Sequence, residues 1–370
     1  MGARGLRPPI VGRVENKQQV ASLTGLRGIA ALIVVVGHFT NETGFLRGVI
    51  GGGGPHLGVL LFFLLSAYLM MWVYHESGVA PWRFLWNRFA RVYPLFVVAV
   101  ASGLVIGHFA GWANYASITR DNLLPHLYFH DGNVVFWTIG PEILFYGVFA
   151  LMLFLPGRVR VGAILVAGAA LAIGWPWIVH LNFMTHLGVH GMLADSYYVY
   201  KTFLIGLLCY LAARHIPQVK GNASSILSFV VLLAAVSMLP NFFESELGRR
   251  PDPETYAFSE PITVLAFAAL LIGATRLSSL QRLLSHRWMI VAGEVSFSLY
   301  LFHYLVLVIW QHLGLAAPNP LGLASFVLAA LGFSWIVHVT FEKPSRRWLR
   351  DLPDLAMRTV RKPAASMQEA

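Results

Sequence analysis

The sequence predicts an all-α integral membrane protein: a bundle of about ten transmembrane helices with both termini in the cytoplasm. Of its 370 residues, 57% are hydrophobic and only 12% are charged, whereas a soluble domain carries about 25% charged residues. A helix needs about 20 apolar residues to cross a bilayer, and the chain contains ten runs of roughly this length. This composition excludes a soluble globular protein and indicates a multi-pass membrane protein.

The apolar runs define the predicted spans. In chain order they cover residues 24–43, 57–75, 93–111, 133–155, 160–180, 197–214, 222–240, 258–275, 289–311 and 321–341. The segment "GWPWIVH" at the end of the fifth run favours a kink or an early exit, because proline removes a helical hydrogen bond. We divide the chain into a cytoplasmic N-terminal tail (1–22), a membrane domain (23–349) and a disordered cytoplasmic tail (350–370).

The distribution of lysine and arginine predicts the orientation. With the N-terminus inside, 22 of the 27 lysines and arginines fall in cytoplasmic segments, as the positive-inside rule requires. The net charge of +10 lies in short loops between apolar runs, so it does not indicate binding to nucleic acid. The polar, basic N-terminus lacks the cleavage site of a signal peptide, and we expect the first span to be retained.

Four reactive side chains lie at a similar depth in the predicted spans. His38 lies roughly 18 Å from the cytoplasmic end of the first span, and Glu142 in the fourth span lies roughly 17 Å from the same side. Ser66 and His303 come within one helical turn of that level. Ionisable groups inside spans usually face the bundle interior and mark functional sites, so the sequence predicts a site slightly outside the membrane midpoint.

Arginines lie at the cytoplasmic interface below this level. His38 lies eleven positions after Arg27 along one helix, which places both on the same face, about 16 Å apart. Arg88 and Arg91 in "RFARVYP" lie at the same leaflet, just before the third span. Guanidinium groups bind phosphates, and a neutral imidazole suits a general base. The pattern favours a ligand with a phosphate head and a reactive tail.

Each of these residues also has a structural interpretation. A lone intramembrane histidine often forms a hydrogen bond between helices, and Ser66 alone is typical of a helix-packing residue. Arginines at a membrane interface commonly set topology or contact lipid headgroups. Glu142 also fits a proton relay or a structural carboxylate.

No metal site is predicted. The single cysteine, Cys209, excludes an intramolecular disulfide and a cysteine-based metal cluster. The pairs His126/His130 and His186/His190 have an i,i+4 spacing that a metal could use on a helix. We expect neither pair to form a metal site.

Six stretches in order resemble acyltransferase family 3, membrane proteins that O-acylate bacterial surface sugars and other acceptors. They are "LTGLRGIAALIVVVGHF", "GVLLFFLLSAYLM", "WNRFARVYPLF", "FWTIGPEILFYGVF", "VSFSLYLFHYLVL" and "FEKPSRRW". The first contains Arg27 and His38, with ten residues between them. The resemblance covers the chain from about residue 22 to 348. It departs at Ala67, where the family commonly has glycine after the serine, and at Gly140-Pro141 before Glu142.

The resemblance implies an O-acyltransferase that moves an acyl group, preferably acetyl, from cytoplasmic acyl-CoA to a hydroxyl of a cell-surface or secreted glycan or another acceptor. It implies His38 as the catalytic residue, with Glu142 orienting the imidazole. The arginines Arg27, Arg88 and Arg91 would hold the CoA phosphates. His38 would deprotonate the acceptor or carry the acyl group itself, and Ser66 would help hold the oxyanion.

The implied location is the bacterial cytoplasmic (inner) membrane. The expected partners are acyl-CoA, a hydroxyl acceptor, the lipid bilayer and proteins of polysaccharide synthesis or export, with no nucleic acid and no metal. Two other classes also fit ten spans with buried polar groups. One is a transporter or flippase for a sugar or lipid-linked sugar, and the other is a structural subunit of a polysaccharide export complex. The Arg27–His38 spacing and the arginines in one leaflet favour the enzyme.

Overall fold

The computed structural model describes residues 10–47, 49–110, 118–129, 132, 134–180, 192–240 and 256–361. Over these residues the chain is helical, with an isolated bridge between Val219 and Leu277 and no strand. The predicted all-α class is confirmed for the part of the chain that is described.

The described helices range from 4 to 34 residues in length. In chain order they are α1 (Ile10–Thr43), α2 (Gly54–Tyr74), α3 (Pro81–Ala110), α4 (Leu123–Leu127), α5 (Ile139–Leu153), α6 (Gly157–His180), α7 (Met192–His215), α8 (Gly221–Val236), α9 (Tyr256–Ser259), α10 (Pro261–Arg276), α11 (Ser278–Leu284), α12 (Arg287–Glu294), α13 (Ser296–His312), α14 (Pro320–Val337) and α15 (Lys343–Arg361). A 3₁₀ turn, Phe136–Thr138, leads into α5, and a π turn, His338–Glu342, joins α14 to α15.

Several helices are long and apolar enough to cross a membrane. Among the described residues there are five such segments, and a sixth if α12 and α13 form one broken span. They are Lys17–Thr43, Gly54–Tyr74, Pro81–Gly107, Phe136–Leu153 and Pro320–Asp354. Each of the ten predicted runs overlaps a helix. The membrane class is therefore supported, while ten spans and two cytoplasmic termini stay predictions.

The predicted ninth span is not one continuous helix. Helices α12 and α13 meet at Val295 and are bent by 75°. Helix α12 packs on α1, whereas α13 runs beside α14. At the first of these contacts, a Cβ built on Gly293 would lie 1.8 Å from the carbonyl oxygen of Thr24. The missing side chain lets two backbones meet there, a contact that hydropathy alone does not reveal.

The fourth span begins later than predicted. Helix α5 starts at Ile139, so Gly140 and Pro141 lie in its first turn, where a proline needs no hydrogen-bond partner for its nitrogen. The dipeptide that is unusual inside a helix is therefore at a helix start. Glu142 also falls in the first turn, where the helix dipole favours a carboxylate.

Both terminal segments contain more helix than expected. Residues 10–22 form the first turns of α1, and residues 350–361 continue α15. Trp86 Nε1 donates to the carbonyl of Leu349 at 2.7 Å, and Arg83 forms an ion pair with Asp354 at 2.6 Å. These contacts hold α15 against α3, and the helix is described up to Arg361, whereas the disordered tail over 350–370 stays a prediction. Residues 362–370 lie outside the described part.

Helix α1 makes close backbone contacts on two sides. A Cβ on Gly28 would lie 2.6 Å from the carbonyl oxygen of Met289 in α12, and one on Gly58 of α2 would lie 2.4 Å from that of Ala30. Small residues allow helices to approach this closely inside a membrane. The first helix is thereby packed between α2 and α12, with Arg27 and His38 along its length.

We expect Gly293→Ala to destabilise the protein by about 1–3 kcal/mol, because the added methyl group forces α12 away from α1. The measurement is thermal unfolding in detergent, followed by tryptophan fluorescence. The matched control is Gly332→Ala in α14, where a Cβ meets no described atom within 4 Å. Equal melting temperatures for the two variants would contradict the proposed role of the α1–α12 contact.

Candidate functional site

A cavity of about 250 Å³ lies between α1, α2, α3, α5 and α13. Apolar side chains such as Phe62, Leu65 and Leu69 form much of its wall. Its polar lining comes from these helices and the 3₁₀ turn and consists of Arg27, Ser66, Arg88, Arg91, Thr138, Glu142, Ser296 and Tyr300. The cavity therefore brings together five of the six predicted site residues, with His38 as the exception.

Glu142 and Ser66 contact each other directly. Glu142 Oε1 accepts a hydrogen bond from Ser66 Oγ at 2.9 Å and another from the hydroxyl of Tyr146. Tyr146 follows Glu142 by one helical turn and lies on the same face of α5. The Ser66 hydroxyl is thus committed to the carboxylate. To hold an oxyanion, as predicted, Ser66 would first have to release Glu142.

Arg88 is held by aromatic rings. Its guanidinium carbon lies 5.3 Å from the ring centre of Tyr74, 5.5 Å from that of Phe84 and 5.6 Å from that of Tyr146. Cation–π contacts of this kind orient a guanidinium and leave its N–H groups available. The Nε of Arg88 is buried and has no hydrogen-bond partner among the described residues.

The other two arginines of the cavity, Arg27 and Arg91, and the neighbouring Arg346 carry few hydrogen bonds. Arg27 donates to Ser296 Oγ at 2.9 Å, and Arg91 and Arg346 make no hydrogen bond or ion pair with the described residues. Arg27 lies close enough to Arg91 and Arg346 for their charges to repel, and Glu342 and Glu142 offset part of this charge. Guanidinium groups that converge without a full set of carboxylates favour an anionic ligand.

Glu342 is held by a second network that the sequence did not assign. Glu342 is 4% exposed, and its Oε2 accepts a hydrogen bond from Ser298 Oγ and lies 2.9 Å from His338 Nδ1. The π turn His338–Glu342 places this carboxylate near Arg27 and Arg91. Arg346, one turn later, was also missed, although both residues lie in the quoted stretch "FEKPSRRW".

His38 lies outside the lining of the cavity. Its ring contacts His303, with 5.2 Å between ring centroids, and the edge of Tyr304 at 5.4 Å. Within the described chain it makes no hydrogen bond to Glu142, so the predicted orientation of the imidazole by this carboxylate is not observed. The partner that the structure brings to His38 is instead His303.

Tyr300 lies between the cavity and the histidine pair. It lines the cavity, and its ring centroid is 6.2 Å from that of His303. Its hydroxyl donates to the carbonyl of Val135 at 3.0 Å and lies 2.9 Å from Thr138 Oγ1. Tyr300 precedes His303 by three residues, a spacing that puts both on one helix face and that could have identified it from the sequence.

The positions of the described histidines, cysteine and acidic residues bear on a possible metal site. The described residues contain no group of three or more histidine, cysteine or acidic side chains placed to hold an ion. His126 is buried, with its Nδ1 2.8 Å from the carbonyl of Asn122. Its predicted pair member His130 lies outside the described residues, as do His186 and His190.

Comparison with known proteins places the chain among acyltransferases. The family described as acyltransferase domain matches residues 20–339. Exopolysaccharide production protein ExoZ of Rhizobium meliloti (strain 1021) is 26% identical over 310 residues, which are 78% of this chain and 89% of that protein. Acyltransferase MdmB of Streptomyces mycarofaciens is 24% identical over 377 aligned residues, 90% of this chain and 92% of that protein. No solved structure matches.

We expect Glu142→Leu to destabilise the protein, because the buried Tyr146 hydroxyl and the Ser66 hydroxyl both lose their acceptor. Each unpaired buried donor costs about 1–3 kcal/mol. Glu142→Gln is the matched control, since its amide oxygen still accepts a hydrogen bond. Thermal unfolding of the two purified variants measures the difference. If the leucine variant melts at the same temperature as the glutamine variant, these hydrogen bonds do not stabilise the fold.

Proposed function

The chain belongs to acyltransferase family 3, and we propose that it moves an acyl group, acetyl by preference, from acyl-CoA to a hydroxyl of a glycan or another acceptor. The observation that carries this proposal is the cavity in which Arg27, Arg88 and Arg91 converge beside Glu142. An arginine cluster next to an apolar wall suits a donor with phosphate groups and an extended apolar arm. Membership in the family favours an enzyme over a transporter or a structural subunit.

The donor would bind with its phosphates at the arginines. Arg88 presents its guanidinium from an aromatic cage, and Arg91 has no hydrogen-bond partner among the described residues. Anionic oxygens of CoA would supply the missing acceptors and relieve the repulsion between these side chains. The pantetheine arm would then follow the apolar wall at Phe62 and Leu65 toward Tyr300.

His38 would perform the chemistry beyond Tyr300. In direct transfer it takes the proton of the acceptor hydroxyl, and the oxygen attacks the thioester carbonyl. The carbon–sulfur bond then breaks, and the CoA thiolate takes the proton from His38. In the alternative route His38 carries the acyl group itself before the acceptor arrives. Both routes require the thioester to reach His38 from the cavity that Tyr300 lines.

A surface glycan is the acceptor class that we favour. One relative is named an exopolysaccharide production protein, and a second is named an acyltransferase. We place the chain in the bacterial inner membrane, with acyl-CoA supplied from the cytoplasm and proteins of polysaccharide synthesis or export as partners. Mass spectrometry of surface glycans from a deletion strain identifies the acceptor.

We expect CoA to raise the melting temperature of the purified protein, because a ligand that binds the folded state stabilises it. Arg91→Gln should raise the Kd for CoA about tenfold or more, the loss expected for a hydrogen bond between charged groups. The control is Arg214→Gln, whose arginine pairs with exposed Glu76 at 2.9 Å and does not line the cavity. An equal Kd in the two variants would argue against donor binding at the arginines.

We expect His38→Ala to abolish transfer of radiolabelled acetyl from acetyl-CoA to glycan in membranes. Removal of a general base costs about 10²–10⁴ in rate. The same variant should still be stabilised by CoA, because His38 does not line the cavity. Wild-type rates in this variant would rule out the catalytic role of His38.

A further inference from the structure

His303 carries a buried ring nitrogen that has no role in the proposed mechanism. The residue is 0% exposed, and its Nδ1 lies 3.0 Å from the carbonyl oxygen of Leu299 and 2.8 Å from that of Tyr300. Carbonyl oxygens only accept hydrogen bonds, so Nδ1 must carry the proton of a neutral ring. Nε2 is then an acceptor, and it is buried without a partner among the described residues.

Among the described residues, the rings of His38 and Tyr300 contact His303, and only His38 has an uncommitted N–H to donate. The hydroxyl of Tyr300 is already engaged with Val135 and Thr138. His38 is the nearer ring, at 5.2 Å between centroids, and its nitrogens make no hydrogen bond to the described residues. Buried polar atoms in native proteins are rarely left unpaired. His38 is therefore the side chain positioned to supply the missing hydrogen.

We propose that His303 is a positioning residue that accepts a hydrogen bond from His38 through Nε2 and thereby selects the tautomer of His38. The ring nitrogen of His38 that faces His303 would carry the proton, and the other would keep its lone pair. The tautomer of His38 is inferred from the contacts of His303 and does not depend on the proposed function. The consequence of that tautomer for catalysis does rest on the proposed function.

This arrangement does for His38 what a carboxylate does in a catalytic triad. The free nitrogen of His38 takes the proton of the acceptor hydroxyl, and the same hydrogen bond to Nε2 then stabilises the imidazolium. The proton later passes from His38 to the leaving CoA thiolate, and His303 stays neutral throughout. Tyr304 also packs on His38, and its hydroxyl donates to Glu42 at 2.8 Å.

Nitrogen-15 solid-state NMR tests the tautomer without any acyl transfer. The protein is labelled at its 14 histidines and reconstituted in lipid bilayers, and the signals are assigned with His38→Gln and His303→Gln. We expect His303 to be protonated at Nδ1, with a hydrogen-bond coupling between its Nε2 and an N–H of His38. In His303→Leu the His38 signals should shift to a mixture of tautomers. Protonation of His303 at Nε2, or unchanged His38 signals in His303→Leu, would overturn the proposal.

Two substitutions of His303 test the consequence for the reaction. The amide oxygen of His303→Gln can still accept a hydrogen bond near the position of Nε2, whereas His303→Leu cannot. With acetyl-CoA and membrane glycan, we expect His303→Leu to lower kcat at least about tenfold with an unchanged KM for acetyl-CoA, and His303→Gln to restore part of kcat. Equal rates for the two folded variants would overturn the positioning role.

The two experiments separate failure of this inference from failure of the proposed function. If the wild-type protein transfers no acetyl group but the NMR coupling is present, the proposed reaction is wrong and the hydrogen bond between His38 and His303 is confirmed. If transfer depends on His38 and the coupling is absent, the reaction stands and the role of His303 is wrong. Melting temperatures of both His303 variants exclude simple unfolding as the cause of lost activity.

Discussion

The backbone contact between α1 and α12 is the constraint on which the rest of the site depends. A Cβ on Gly293 would lie 1.8 Å from the carbonyl oxygen of Thr24, so the two helices meet with no side chain between them. With α12 held across α1, the chain bends by 75° at Val295 and continues as α13. That bend carries Ser296 to Arg27 and His303 to His38.

The functional side chains lie where helices are irregular. Glu142 occupies the first turn of α5 after a 3₁₀ turn, Ser296 begins α13 after the bend, and Glu342 ends a π turn. At such places the helix leaves some backbone groups without their usual partners and turns neighbouring side chains in a new direction. Three irregular points thus bring two carboxylates and a hydroxyl to the arginines of the cavity.

Two neighbouring sets of polar groups in the described interior lie on either side of Tyr300. On one side lie the arginines with Glu142 and Ser66, and on the other lie His38 and His303. In a medium without water, each polar atom needs a partner inside the protein. The Tyr300 hydroxyl finds such partners in the carbonyl of Val135 and the hydroxyl of Thr138. The division suits the proposed reaction, in which a charged donor and a hydroxyl acceptor would approach His38 from different sides.

The sequence by itself determined the helical membrane class and the residue types of the site. Apolar runs of span length require helices, and the cost of charge inside a membrane singles out Arg27, His38 and Glu142. Equal depths along separate spans also predicted that Ser66 and Glu142, and His38 and His303, would lie at one level. Both pairs are in contact.

Only the tertiary structure decided which of these groups are partners. Depth follows from residue counts, but position around the bundle depends on where helices touch, bend and begin. The 75° bend follows α12 where that helix meets the distant α1, and α5 begins only at Ile139. For this reason Glu142 accepts hydrogen bonds from Ser66 and Tyr146, and the ring of His38 contacts that of His303. A hydropathy profile contains no information about such contacts between helices.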